Sequence, residues 1–98
     1  MKPLKFVRTS LNDLRDFPAV ARQRAGYQLH KVQAGQQPSV WKPMIPIGPC
    51  VHEIRIHTCQ AFRVIHVAHI EGAVFVLHAF RKKTKKTNHR DLEIARRR

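Results

Sequence analysis

The sequence predicts an α+β domain: a twisted, mostly antiparallel sheet with helices packed on one face, in the order β-α-α-β-β-β-α. Three observations lead there. Apolar residues recur at spacings of three and four in the first third of the chain. Between residues 51 and 80 they alternate or run together as strands do. The three strand candidates in that stretch follow one another without an intervening helix, which favours antiparallel pairing. At 98 residues the chain makes one domain, residues 1–98, because a second core would need roughly 100 residues more.

The elements can be justified in turn. Leu4 to Arg8 is a short strand with Phe6 and Val7 as its apolar content. Ser10 followed by Asp13 reads as a capping box with Asp in place of Glu. Asp16-Phe17-Pro18 restarts a helix, with Asp16 as N-cap and Pro18 in the first turn. Val20, Ala21, Ala25, Leu29 and Val32 form its apolar stripe, and Gly35 its stop. Residues 10–34 thus read as a helical pair. Residues 35–50 hold Pro38, Pro43, Pro46 and Pro49 and read as loop, with Trp41 and Met44 as packing anchors.

Val51 to Ile56 alternates, with Ile54 and Ile56 on one side and Glu53 and Arg55 on the other. Phe62 to Ile70 is rich in β-branched and aromatic residues. Ala73 to Phe80 is almost wholly apolar, as expected of a strand covered on both faces. Glu71-Gly72 reads as the tight turn joining these last two strands. A basic run from Arg81 to Lys86 precedes a final helix, with Asn88 as N-cap, Asp91 and Glu93 in the first turn and Arg96 to Arg98 in the last.

Lys plus Arg is 19 against 6 acidic residues, a formal charge of +13. Such a field favours phosphate-rich or strongly acidic partners. With 43% hydrophobic residues the chain has enough apolar surface to fold, so it is not a disordered basic tail. The longest apolar stretch is far short of the ~20 residues of a membrane span, and the Met1-Lys2-Pro3-Leu4-Lys5 start lacks a signal-type apolar region. A cytoplasmic location with no membrane partner is expected. Cys50 and Cys59 are too few for a disulfide framework and read as thiols. The four glycines are scattered, so no phosphate-cradling loop is present.

Four segments resemble a known family. His52-Glu53-Ile54-Arg55-Ile56 is similar to an "E-L-R" strand, and Phe62-Arg63-Val64-Ile65-His66 to a "Y-R-V-x-Y" strand. Val76-Leu77-His78-Ala79-Phe80-Arg81-Lys82-Lys83-Thr84 is similar to "L-H-A-F-x-K-K-T". Lys86-Thr87 through Asp91, Glu93 and Ala95 resembles the start of the last helix in the same family. These are the motifs of the RelE/HigB-type toxins of bacterial toxin–antitoxin pairs, in particular their phage-associated branch. The resemblance implies a compact RelE-like fold, an endoribonuclease activity on mRNA, often at the ribosome, and a cognate antitoxin, either acidic or a helix-turn-helix protein. The sequence departs from the family in having Phe62 and His66 at tyrosine positions and no tyrosine near the last helix.

Metal-free RNA cleavage needs a base for the ribose 2′-hydroxyl, an acid for the leaving 5′-oxygen and cations for the developing charge. Arginine suits the last task because its fork binds two phosphate oxygens and keeps its proton. Arg55 and Arg63, on adjacent strands and on the polar face, are therefore the leading catalytic candidates. Lys82 and Lys83, just past the long apolar strand, are expected to clamp the phosphate. Arg81, Lys85 and Lys86 are expected to bind RNA. His89, beside the last helix, is the preferred exposed base, with Asp91 able to orient it and a lysine of depressed pKa as its competitor. His66 and His78 read as packed residues; Tyr27 and Trp41 could stack on bases, but core packing is the preferred reading of each. No cofactor and no metal are expected. Two other readings compete: a non-catalytic nucleic-acid-binding module, and a domain stabilised by zinc on Cys50, His52, His57 and Cys59.

Overall fold

The computed structural model describes residues 1–70, 72–83 and 89–98. Its five strands are β1 (Leu4–Phe6), β2 (Trp41–Pro43), β3 (Val51–His57), β4 (Ala61–Ile70) and β5 (Ala73–Lys82). They form one sheet in the order β1-β5-β4-β3-β2. Only β1 is parallel to its neighbour; all other pairs are antiparallel. The helices are α1 (Ser10–Arg15), α2 (Ala19–Gln33) and α3 (His89–Arg97). No helix among the described residues is long and apolar enough to cross a membrane.

The α+β class and the mostly antiparallel sheet hold, with one strand more than expected. That strand, β2, lies within the proline-rich stretch read as loop. It is an edge strand, where a residue without an N–H such as Pro43 is tolerated. The Trp41 ring lies 4.4 Å from the His52 ring, tilted 34° to it, and the buried Met44 packs with Val51, whose carbonyl accepts from the Met44 amide at 2.8 Å. Trp41 and Met44 thus anchor the segment as expected. The expected Glu71-Gly72 turn and the Asn88 cap fall at least partly outside the described residues. Gly72 itself has φ +67, the left-handed backbone such a turn requires.

The helices do not share one face. Leu14 and Phe17 of the α1 region and Ala21, Ala25, Leu29 and Val32 of α2 pack on Ile54, Ile56, Phe62, Val64, Val74 and Val76. A second apolar cluster on the reverse side joins Ala95 and Leu92 of α3 to Ile65, Val67, Leu77 and Phe80. The physical reason is β5 itself: a strand apolar on both sides leaves neither side to water, so each face needs a cover.

Local starts also shift by a residue or two. Thr9, not Ser10, occupies the first cap position, and its hydroxyl donates to Asp13 at 3.0 Å. Ser10 instead turns inward and donates to the Val76 carbonyl at 3.0 Å, tying α1 to β5. Asp16 closes α1, and Pro18 takes the cap position of α2. Val20 is exposed, because the buried stripe starts at Ala21 and runs through Ala25, Leu29 and Val32.

The β4–β5 ladder slips between Ile65 and His66: Ile65 pairs with His78, but His66 pairs with Val76. Leu77 is the extra residue of this bulge, which lets Leu77 and His78 both serve the α3 side.

His66 lies buried beside His52, with Nδ1 lacking a hydrogen bond among the described residues. Burial first, and the neighbouring His52 second, push its pKa down from 6.5 to about 4. The unfolded chain therefore binds the proton more readily than the folded one. Stability should be full above about pH 6.5 and fall as pH drops towards 4, by at most about 3 kcal/mol. Urea titrations at pH 7 and 4.5 should show that loss, and His66→Leu should remove most of it.

Candidate nucleic-acid interface

Arg55 and Arg63 are direct partners across β3 and β4, so both side chains leave the same face of the sheet. Glu53, two residues before Arg55, shares that face, and Lys42 is its partner on β2. Phe80 is the partner of Arg63 on β5, and Lys82 lies two residues further along. Strand alternation thus lines up Lys42, Glu53, Arg55, Arg63 and Lys82 across four strands, next to the apolar patch under α3.

A single carboxylate organises this row. Glu53 is fully buried, and its Oε1 lies 3.4 Å from Arg55 Nε and 3.5 Å from Arg63 Nε. Arg63 is only 4% exposed, and its Nη1 donates to the Phe62 carbonyl at 3.0 Å. Its Nε–H, 3.5 Å from Glu53, makes an ion pair there but no hydrogen bond among the described residues. Arg55 keeps its head part-exposed. Burial lowers the Arg63 pKa from the usual guanidinium value, with Glu53 opposing and Arg55 adding to the shift; a guanidinium stays charged regardless. The Lys82 pKa is also lowered, first by burial, then by Arg63, with Arg55 and Lys42 contributing and Glu53 opposing. Four cations around one carboxylate leave a strong local excess of positive charge, suited to a phosphate with its counter-ions stripped away.

The residues picked out from sequence divide into separate places. Arg55, Arg63 and Lys82 come together. Arg81 does not join them: its partner is Phe62, on the α1/α2 face, because neighbouring strand residues point to opposite sides. Lys83 and Arg81 instead line a cleft of about 430 Å³ between α1, β5 and α3, along with Asp13, His78 and Arg90. His89 is almost fully exposed, 3.9 Å from Glu93. Asp91 does not orient it, since its Oδ1 lies 2.8 Å from His78 Nε2. Lys85 and Lys86 lie outside the described residues. The zinc candidates sit at opposite ends of β3, Cys50 and His52 at one and His57 and Cys59 at the other, roughly 20 Å apart at ~3.3 Å per residue.

Sequence reasoning missed Lys42 and gave Glu53 no role. The alternation already placed Glu53 beside Arg55, whereas nothing in a proline-rich stretch signals a strand that would carry Lys42. Tyr27 was expected in the core and is 62% exposed.

The architecture is shared with solved structures. Isolated E. coli RelE toxin matches with a TM-score of 0.69 at 17% identity, over 99% of this chain and 98% of that one. A doubly substituted mutant of E. coli RelE in the free state matches at 0.67 and 18%, over 86% of each chain. The intact E. coli RelBE toxin–antitoxin complex gives 0.64 and 18%, over 86% of this chain and 100% of that one. At these identities the likeness is one of fold. A search of curated proteins found no match. The family model for Phage derived protein Gp49-like (DUF891) matches residues 12–98, and the chain belongs to that family.

Removing the Glu53 charge should expose how far the row depends on it. Glu53→Gln is expected to lower stability by about 3 kcal/mol, because it leaves buried guanidinium groups without their counter-charge. Urea unfolding measures this, and added sulfate should recover part of the loss by binding among the cations.

Proposed function

We propose that this protein is the toxin of a toxin–antitoxin pair, an endoribonuclease that cleaves mRNA, associated with the ribosome, without needing a metal. One observation carries the reading: Arg55 and Arg63 face each other on adjacent strands, with Lys82 beside them on the next. Family membership and the RelE-type fold support it.

In the proposed reaction the ribose 2′-oxygen attacks the neighbouring phosphorus and loses its proton to a base. The P–O5′ bond breaks, the 5′-oxygen takes up a proton, and a 2′,3′-cyclic phosphate remains. Arg55 and Arg63 stabilise the charge that builds on the non-bridging oxygens. Lys82 is the better base on these grounds: its proton affinity is reduced and it sits in the cluster, whereas His89 stands out in solvent. Lys83, Arg81, Lys85 and Lys86 hold flanking RNA. The partner is an antitoxin whose acidic or helix-turn-helix chain masks the cationic surface, as the toxin–antitoxin architecture of the RelBE neighbour favours.

The test is cleavage of free RNA and of mRNA on translating ribosomes. Arg55→Ala and Arg63→Ala should each reduce cleavage about 100-fold or more. Each should also flatten the dependence of log affinity on log salt by about 0.7 for single-stranded RNA. Expression alone should arrest growth, and the product of an adjacent small reading frame should relieve it. A protein that binds RNA while leaving both substrates intact would be a binding module instead.

A further inference from the structure

Pairing of β2 with β3 stops at Ile54, and beyond it one bond remains, from the Arg55 amide to the Val40 carbonyl at 2.9 Å. That bond fixes the parity of the strand. Arg55 and His57 turn their peptide groups out of the sheet edge, and no β2 residue lies opposite Ile56 or His57. Beside this edge, on the α2 face of the sheet, lies a cavity of about 360 Å³. Val40 and Ile56 supply its aliphatic wall, and the exposed Tyr27 ring stands at its rim. Val20, two turns before Tyr27 on the same side of α2, is exposed as well. The Glu53-bound cations project from the opposite face and take no part here.

The electrostatic setting is one-sided. Residues 17–52 contain no Asp or Glu. Among the described residues no carboxylate lines the cavity, whereas Arg24 borders it and Lys31 Nζ stands 6.0 Å from the centre of the Tyr27 ring. Both cations are held in place: Arg24 donates to the His57 carbonyl, and Lys31 to the Ser39 hydroxyl at 3.2 Å. Ser39 N in turn donates to Gln28 Oε1 at 2.7 Å, which closes one end of the cavity. The surface is therefore formed before anything binds to it.

We propose that this edge is the docking site of an acidic, extended segment of a partner protein, which sets an apolar side chain into the cavity and carboxylates against Arg24 and Lys31. Each feature matches one part of such a segment. The aliphatic cavity takes a branched side chain, the outward peptide groups pair with an added strand, and the unopposed cations take the acids. A second copy of this chain would bring its own +13 charge and be repelled. RNA would satisfy the charge, but it has no aliphatic side chain for the cavity and no peptide group for the edge. That the segment belongs to the antitoxin rests on the toxin–antitoxin reading; the chemistry of the surface does not.

The test is titration of labelled protein, followed by NMR, with a capped peptide of about seven residues in which glutamate and leucine alternate. It should shift the Val40 and Ile56 methyls, the Tyr27 ring and the His57 amide together. An all-glutamate peptide of equal length should bind at least tenfold more weakly. Val40→Asp and Tyr27→Ala should each weaken the alternating peptide about tenfold. Both positions are exposed, so these variants should fold, and a thermal melt checks that. Lys31→Glu should weaken binding, whereas Lys5→Glu, an equal change of charge on the far edge strand, should leave it nearly unaltered. Three results would overturn the inference: equal binding of the two peptides, equal effects of Lys31→Glu and Lys5→Glu, or displacement of the peptide from these resonances by single-stranded RNA. Concentration-dependent shifts without peptide would mark self-association and overturn it too. Failure of the toxin reading would look different: no growth arrest and intact RNA, with the peptide still bound at the edge.

Discussion

The buried carboxylate of Glu53 is the interaction on which the rest of the functional face depends. A lone carboxylate in the interior would be strongly unfavourable, and two guanidinium groups opposed on neighbouring strands would repel each other. Each arrangement makes the other tolerable. Glu53 lies against the guanidinium Nε of both Arg55 and Arg63, which face each other across β3 and β4, while the Arg55 side chain stays part-exposed. The cations are thus oriented before any anion arrives, which is the condition under which electrostatic stabilisation is most effective.

Around that centre, the fold solves a covering problem. The two-sided apolar strand β5 forces helices onto both faces, and the carboxy-terminal helix covers one of them. This helix is held by polar contacts as much as by Leu92 and Ala95. Asp91 meets His78, Arg98 donates to the Leu77 carbonyl and the Thr9 hydroxyl, and Arg96 donates to the Pro46 carbonyl. Arginines that in sequence look like a solvated helix end thereby reach the bulge, the first helix and the proline-rich segment.

Much of this was legible in the sequence, and the failures have physical causes. The opposition of Arg55 and Arg63 follows from alternation on two strands joined by a short turn, closed by the Thr58 amide on the Gln60 carbonyl. The packed state of His66 and the hydrogen-bonded state of His78 follow from their apolar strands. The separation of Arg81 from Lys82 was hidden because a basic run reads as one patch unless strand parity is carried past Phe80. Placing all helices on one side conflicted with a strand already read as covered on both. Tyr27 sits about 200° around α2 from Ala25, at 100° per residue, so the stripe itself puts it on the wet side. Lys42 depended on a long-range pairing that proline-rich sequence does not announce.

The bulge at Leu77 carries an evolutionary consequence. Side chains alternate with a period of two, so one extra residue in β5 reconciles the pattern around Val74 and Val76 with that of Phe80 and Lys82. Straightening the strand with Leu77 kept in it would change nothing in composition, yet it would rotate one half of the strand by half a turn relative to the other. Either Lys82 would swing away from the arginines or Val74 and Val76 would leave their core. Lineages descending from this chain can therefore lose the bulge only together with one residue of β5, or with a compensating change on its neighbour.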